Sequence, residues 1–88
     1  MDLENGMKKL REVRARLEKD EYVVESLPEL LSWFKVQRRR PKIVDSINEC
    51  LNELEIETNP NFEFALPQSD IALTLLEVKE GRRHLFSL

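Results

Sequence analysis

The chain is poor in the residues from which most catalytic and cofactor sites are built. Its 88 residues include one histidine, His84, one cysteine, Cys50, and two glycines, Gly6 and Gly81. A lone cysteine permits no internal disulfide, and nothing in the composition calls for an oxidising compartment. No CxxC or HExxH spacing is present, so a metal-ligand set is not expected. Two isolated glycines cannot make a glycine-rich phosphate loop. No stretch approaches the roughly 18 apolar residues of a membrane span. Met1-Asp2-Leu3-Glu4 lacks the basic start and apolar run of a signal peptide. Acidic residues are plentiful, but they fall on charge-patterned helix faces, where solvation is the ordinary explanation. The expectation is a cytoplasmic, non-catalytic protein without cofactor or metal.

What is present is a small folding unit with an uneven charge. Forty-one per cent hydrophobic and 35% charged residues describe a globular chain, not a disordered one. Its length allows a single domain, residues 1–88, burying roughly 60–65% of its unfolded surface. The net charge is −3, yet Lys35, Arg38, Arg39, Arg40 and Lys42 fall within eight residues that contain no acid. Residues 43–70 then carry seven acids and no Lys or Arg. A concentrated basic patch on an acidic chain suits a localised anionic contact better than broad phosphate coating.

Residues 7–21 read as a first helix with an apolar stripe of Met7, Leu10, Val13 and Leu17. Asn5 is its candidate cap, and Glu12–Arg16, Arg14–Glu18 and Arg16–Asp20 are i,i+4 pairs. Tyr22-Val23-Val24 is a short β-prone link. Ser26-Leu27-Pro28-Glu29 has the form of a capping box, and Leu27, Leu30, Leu31 and Phe34 continue as a second helix's core stripe. Trp33 lies on a neighbouring face, either at the core's rim with its N–H satisfied or as a partner anchor. Pro41 suits the first position of a third helix, buried through Ile43, Val44, Ile47, Leu51 and Leu54 with Cys50 beside them. Asp45, Asn48, Glu49, Asn52 and Glu53 face outward. Thr58-Asn59-Pro60-Asn61 is turn chemistry, Phe62–Leu66 alternates as a strand does, and Pro67-Gln68-Ser69-Asp70 breaks it. Residues 71–78 fit strand or helix. Strand is preferred, because Val78-Lys79-Glu80-Gly81-Arg82 resembles a hairpin connection to a last strand, Arg83–Leu88.

Three helices followed by a β-hairpin predict an α+β, winged-helix-like fold, with the second and third helices as helix-turn-helix. The start of the third helix and the wing both approach a nucleic-acid backbone in such domains. The two basic clusters, Arg38, Arg39, Arg40 and Lys42, then Arg82 and Arg83, fall at those places. Cations at a helix N-terminus oppose its dipole, so helix stability does not account for them. Pairing with Glu49, Glu53, Glu55 or the first helix's acids is the competing explanation. Outward acids on the third helix and the negative net charge argue against a duplex.

The run Leu27-Pro28-Glu29-Leu30-Leu31-Ser32-Trp33-Phe34, then Arg38-Arg39, then Glu57-Thr58-Asn59-Pro60-Asn61-Phe62-Glu63, resembles a small bacterial domain. That domain stands ahead of paired CBS modules and in defence-associated proteins. The resemblance covers about residues 25–65. It departs where the family has a Gly near Arg40-Pro41, and no CBS module follows. It implies an accessory domain that recruits or positions, with no transferable site residues.

The first expectation for function is nucleic-acid binding through phosphate contacts from Arg38, Arg39, Arg40, Lys42, Arg82 and Arg83. The second is a protein-interaction or oligomerisation module of a larger, defence-related bacterial assembly, using Trp33, the apolar last strand with Leu85, Phe86 and Leu88, and the arginine patch. The apolar last strand suggests a homodimer through its edge. A targeting signal in the basic run ranks last, because Pro41 and the following stripe place it inside folded structure.

Overall fold

Asp2 starts the first helix. Its side chain accepts a bond from the Asn5 backbone N–H at 3.0 Å, satisfying one of the orphan donors of the first turn. The computed structural model describes residues 1–76, with α1 at Leu3–Glu18, β1 at Val23–Ser26, α2 at Leu27–Trp33, α3 at Pro41–Glu53, β2 at Ile56–Asn59 and β3 at Asp70–Leu75. Helix α1 thus starts four residues before the expected boundary. Asn5, expected as the cap, lies within the first turn, and its side-chain amide donates to the Trp33 carbonyl at 2.7 Å.

Helix α2 follows its sequence signals. Ser26 Oγ accepts from the Glu29 N–H at 3.2 Å, and Leu27, Leu30, Leu31 and Phe34 are buried. The reciprocal half of the capping box does not form, because the Glu29 carboxylate accepts instead from the Trp33 indole N–H at 3.1 Å. In α3 the stripe is as expected, with Ile47, Cys50 and Leu51 buried and Ile43, Val44 and Leu54 packed against the core.

The three strands form one antiparallel sheet in the order β1-β3-β2. Val23 pairs with Leu73, and Thr58 with Leu73 from the other side. Val23, Ile56, Ile71 and Leu73 are buried against the helices. The described residues are therefore α+β, three helices with a small three-stranded sheet.

One expectation is corrected. Phe62–Leu66 is not a strand. The Asn61 carbonyl accepts from the Phe64 and Ala65 N–H groups, and Asn61 Oδ1 accepts from the Glu63 N–H at 2.9 Å, which curls the segment into turns. Phe62 and Ala65 are buried, whereas Phe64 is 81% and Leu66 74% exposed. The inward spacing is three, not the two of a strand. The strand preferred for residues 71–78 is present as β3, and it forms a hairpin with β2 that was not expected, joined by residues 60–69 and entered through a cis Asn59–Pro60 bond. The expected hairpin at Val78–Arg82 and strand at Arg83–Leu88 lie outside the described residues.

Candidate functional site

The connection between α2 and α3 carries the basic run, and its path is set by the end of α2. Lys35 has φ 59°, the left-handed region, and the Lys35 and Val36 N–H groups bond back to Ser32 and Leu31 carbonyls at 3.0 and 3.2 Å. This Schellman-type ending reverses the chain and lays residues 36–40 along the side of α2.

The basic residues separate into two roles. Arg39 turns inward: one guanidinium nitrogen, Nη1, donates to the carbonyls of Phe62, Glu63 and Ala65 at 2.8, 3.2 and 2.7 Å. It fastens the β2–β3 connection to the α2–α3 connection. Arg38, Arg40 and Lys42 are exposed, and neither they nor Lys35 forms an ion pair among the described residues. None of the acids expected to neutralise them does so among the described residues. Glu55 pairs with Arg14 at 3.5 Å, and Glu49 and Glu53 sit further along α3. Helix α3 starts at Arg40 with no side-chain cap and no acid in its first turn. Its N-terminal dipole adds to the positive field of the three cations beside it.

Beside these cations runs an apolar hollow of about 410 Å³, lined by Leu27, Pro28, Leu31, Val36, Arg38 and Pro67 among others. A second hollow, about 450 Å³, adjoins it through Pro67 at Leu66–Ser69. A third, about 300 Å³, shares Val36 and Arg38 and reaches Arg40 and Ile43. Together they make one groove, apolar at the β2–β3 connection and cationic at the start of α3.

The other expected site residues fall elsewhere. Trp33 is only 7% exposed and its N–H is held by Glu29, so it is a core residue with its polar tip satisfied. Arg82, Arg83, Leu85, Phe86 and Leu88 lie outside the described residues. Asp45, Glu49, Asn52 and Glu53 are exposed on α3, and Asn48 donates to Glu63 at 2.8 Å. Burial, with the charges of Glu53 and Glu49, pushes the Cys50 thiol pKa up, which suits a packing residue and not a nucleophile. No group of three or more potential metal ligands occurs among the described residues.

The anchoring role of Arg39 was not readable from the sequence, because its acceptors are backbone carbonyls more than twenty residues away. Exposed Phe64 and Leu66 were missed for a local reason. Read as a strand, they share the face of Phe62. The Asx-turn signal at Asn61 and the break at Pro67 mark the turn that separates them.

Compared with protein-family models, curated proteins and solved structures, the chain matches none of them.

Proposed function

We propose that this chain is a non-catalytic, winged-helix-like module that binds another protein. The element order, with α2 and α3 in close succession and a β2–β3 hairpin after them, supports the winged-helix reading. The connection at residues 60–69 takes the place of the wing. The observation that carries the protein-binding reading is the character of that connection: it contains no Lys or Arg, and it presents Phe64 and Leu66 to solvent. Phosphate backbones are met by cations at both the helix start and the wing, and here the described wing offers apolar side chains instead. Exposed acids along α3 oppose its entry into a major groove, whose walls are phosphates. Exposed aromatic and aliphatic residues beside arginines are the composition of protein contact surfaces.

Nucleic-acid binding is the second reading. Arg38, Arg40 and Lys42, without an ion pair among the described residues and at the start of a helix with no side-chain cap, favour it, and Arg82 and Arg83 would add to it. Titrating the whole chain against a short labelled duplex at several salt concentrations separates the two. The protein-binding reading expects only weak association, near a Kd of roughly 10⁻⁴ M, lost at physiological salt. Sub-micromolar binding, with a salt slope that falls by about two phosphates when Arg38 and Arg40 become alanine, would establish the nucleic-acid reading instead.

A further inference from the structure

We infer that the groove beside α2 receives a short acidic segment of a partner protein that carries a bulky apolar side chain next to its carboxylates. The inference rests on the protein-binding reading above and names the chemistry of the partner. The apolar hollow, about 410 Å³, lies within the size range of pockets that enclose a ligand of several side chains. Leu27, Pro28, Leu31, Val36 and Pro67 give it apolar walls for an anchor, and Ser32, Gln37, Arg38 and Arg39 line the rest. Its mouth is continuous with Arg38, and through the shared Val36–Arg38 wall with Arg40.

Charge complementarity selects the occupant. Lys35, Arg38, Arg40 and Lys42 have no acidic partner among the described residues. Of the carboxylates on the neighbouring segments, Glu29 is engaged by the Trp33 indole and Glu63 by Asn48. A planar guanidinium accepts a carboxylate in a two-bond fork, so Arg38 and Arg40 can fix acids flanking a buried anchor. Arg39 contributes by position. By clamping the carbonyls of Phe62, Glu63 and Ala65, it holds Leu66 and Pro67 in place as the far wall of the groove.

Other occupants fit less well. Nucleic acid brings phosphates for the arginines, but the lining of the apolar hollow contains no aromatic ring on which a base could stack. A second copy offers acids on α3, yet the apolar residues of that helix are turned into its own core. The chain's own residues 77–88 carry three Lys or Arg against two acids, a composition that does not match the charge of the patch.

The test uses the whole chain and four labelled probes, read by fluorescence anisotropy. They are a short peptide alternating Glu with Leu and Phe, the same peptide with Lys for Glu, a poly-glutamate peptide, and a short duplex. Two variants accompany them. Arg38→Glu with Arg40→Glu reverses the charge. Ser32→Trp fills the groove from an exposed position on α2, and circular dichroism checks that both variants keep the fold. The expected result is that the Glu/Leu/Phe peptide binds most tightly and weakens by about tenfold or more in each variant. The Lys peptide is expected not to bind. If the Glu/Leu/Phe peptide binds, but Ser32→Trp leaves its affinity unchanged, the groove is not its site and the inference falls while the protein-binding reading stands. Poly-glutamate binding equally well would likewise remove the apolar anchor. If the duplex binds more tightly than every peptide and loses affinity in the charge-reversed variant, both the inference and the reading beneath it are overturned. A dimer in light scattering that Ser32→Trp converts to monomer would replace the peptide with a second copy.

Discussion

Arg39 and its two arginine neighbours differ in what their charges face. Arg38 and Arg40 meet solvent, whereas Arg39 meets three carbonyl oxygens of the β2–β3 connection. Hydrogen bonds from a charged donor to partly buried carbonyls contribute more than neutral ones, and truncation leaves those acceptors short of a partner. Arg39→Ala is therefore expected to lower unfolding stability by about 1–3 kcal/mol, whereas Arg38→Ala at its exposed site changes it by less than about 0.5 kcal/mol. Equal midpoints for the two variants in urea would show that the clamp does not hold the loop. Gly6 is a second residue whose role is steric. A Cβ there would stand 2.2 Å from Cε2 and 2.3 Å from Cδ2 of Phe34, a ring that is itself fully buried. Alanine would gain about 1 kcal/mol in helix propensity. The clash, at about 1–3 kcal/mol for overpacking, outweighs that gain. Gly6→Ala should thus lower the melting temperature, and a rise would mean that α1 and α2 can separate without cost.

At the scale of elements, all three helices end on a residue in the left-handed region: Asp20 after α1, Lys35 after α2 and Glu55 after α3, with φ of 64°, 59° and 58°. None is glycine, the residue that tolerates this conformation best. Lys35→Gly relieves the strain and removes one cation from the patch. It is expected to raise stability by about 0.5–1 kcal/mol, a shift of several degrees in a domain of this size. It should also weaken binding of an acidic peptide. A fall in stability would show that Lys35 makes a contact that outweighs its backbone strain. The helices were legible in the sequence because each buries a stripe at 3.6-residue spacing, from Leu10 and Val13 to Ile47 and Leu51. The short strand β2 was not. Leu51 and Leu54 keep helical spacing, and Ile56 is the one apolar residue of Ile56–Asn59, too little alternation to mark a strand after Glu53. The expected strand at Phe62–Leu66 failed for the opposite reason: three alternating apolar residues also arise in a turn that buries one and exposes two. Half of the candidate site was legible, as a cation run at a helix start. The other half was not, because the groove joins Leu27 and Leu31 to Pro67, and only the tertiary fold brings them together.

For the whole molecule, the distribution of charge and apolar surface decides the account. The net charge is −3, which disfavours broad association with phosphate backbones, while one short segment holds cations that no acid neutralises among the described residues. The acidic face of α3 and the basic start of the same helix give the molecule two poles a few turns apart. Exposed Phe64 and Leu66 stand on the connection that Arg39 fastens beside the basic pole. Together these features support the proposal of a surface for acids beside an apolar side chain, the chemistry of a protein partner. The most direct measurement is an NMR titration of the isotope-labelled chain, with the acidic, apolar peptide and a short duplex added in separate experiments. The account predicts that the peptide shifts amide signals of Leu31–Lys42 and of Phe64, Leu66 and Gln68. It predicts that the duplex leaves α3 unmoved at physiological salt. Duplex-induced shifts along Asp45–Glu53, with no response of the groove to the peptide, would contradict it.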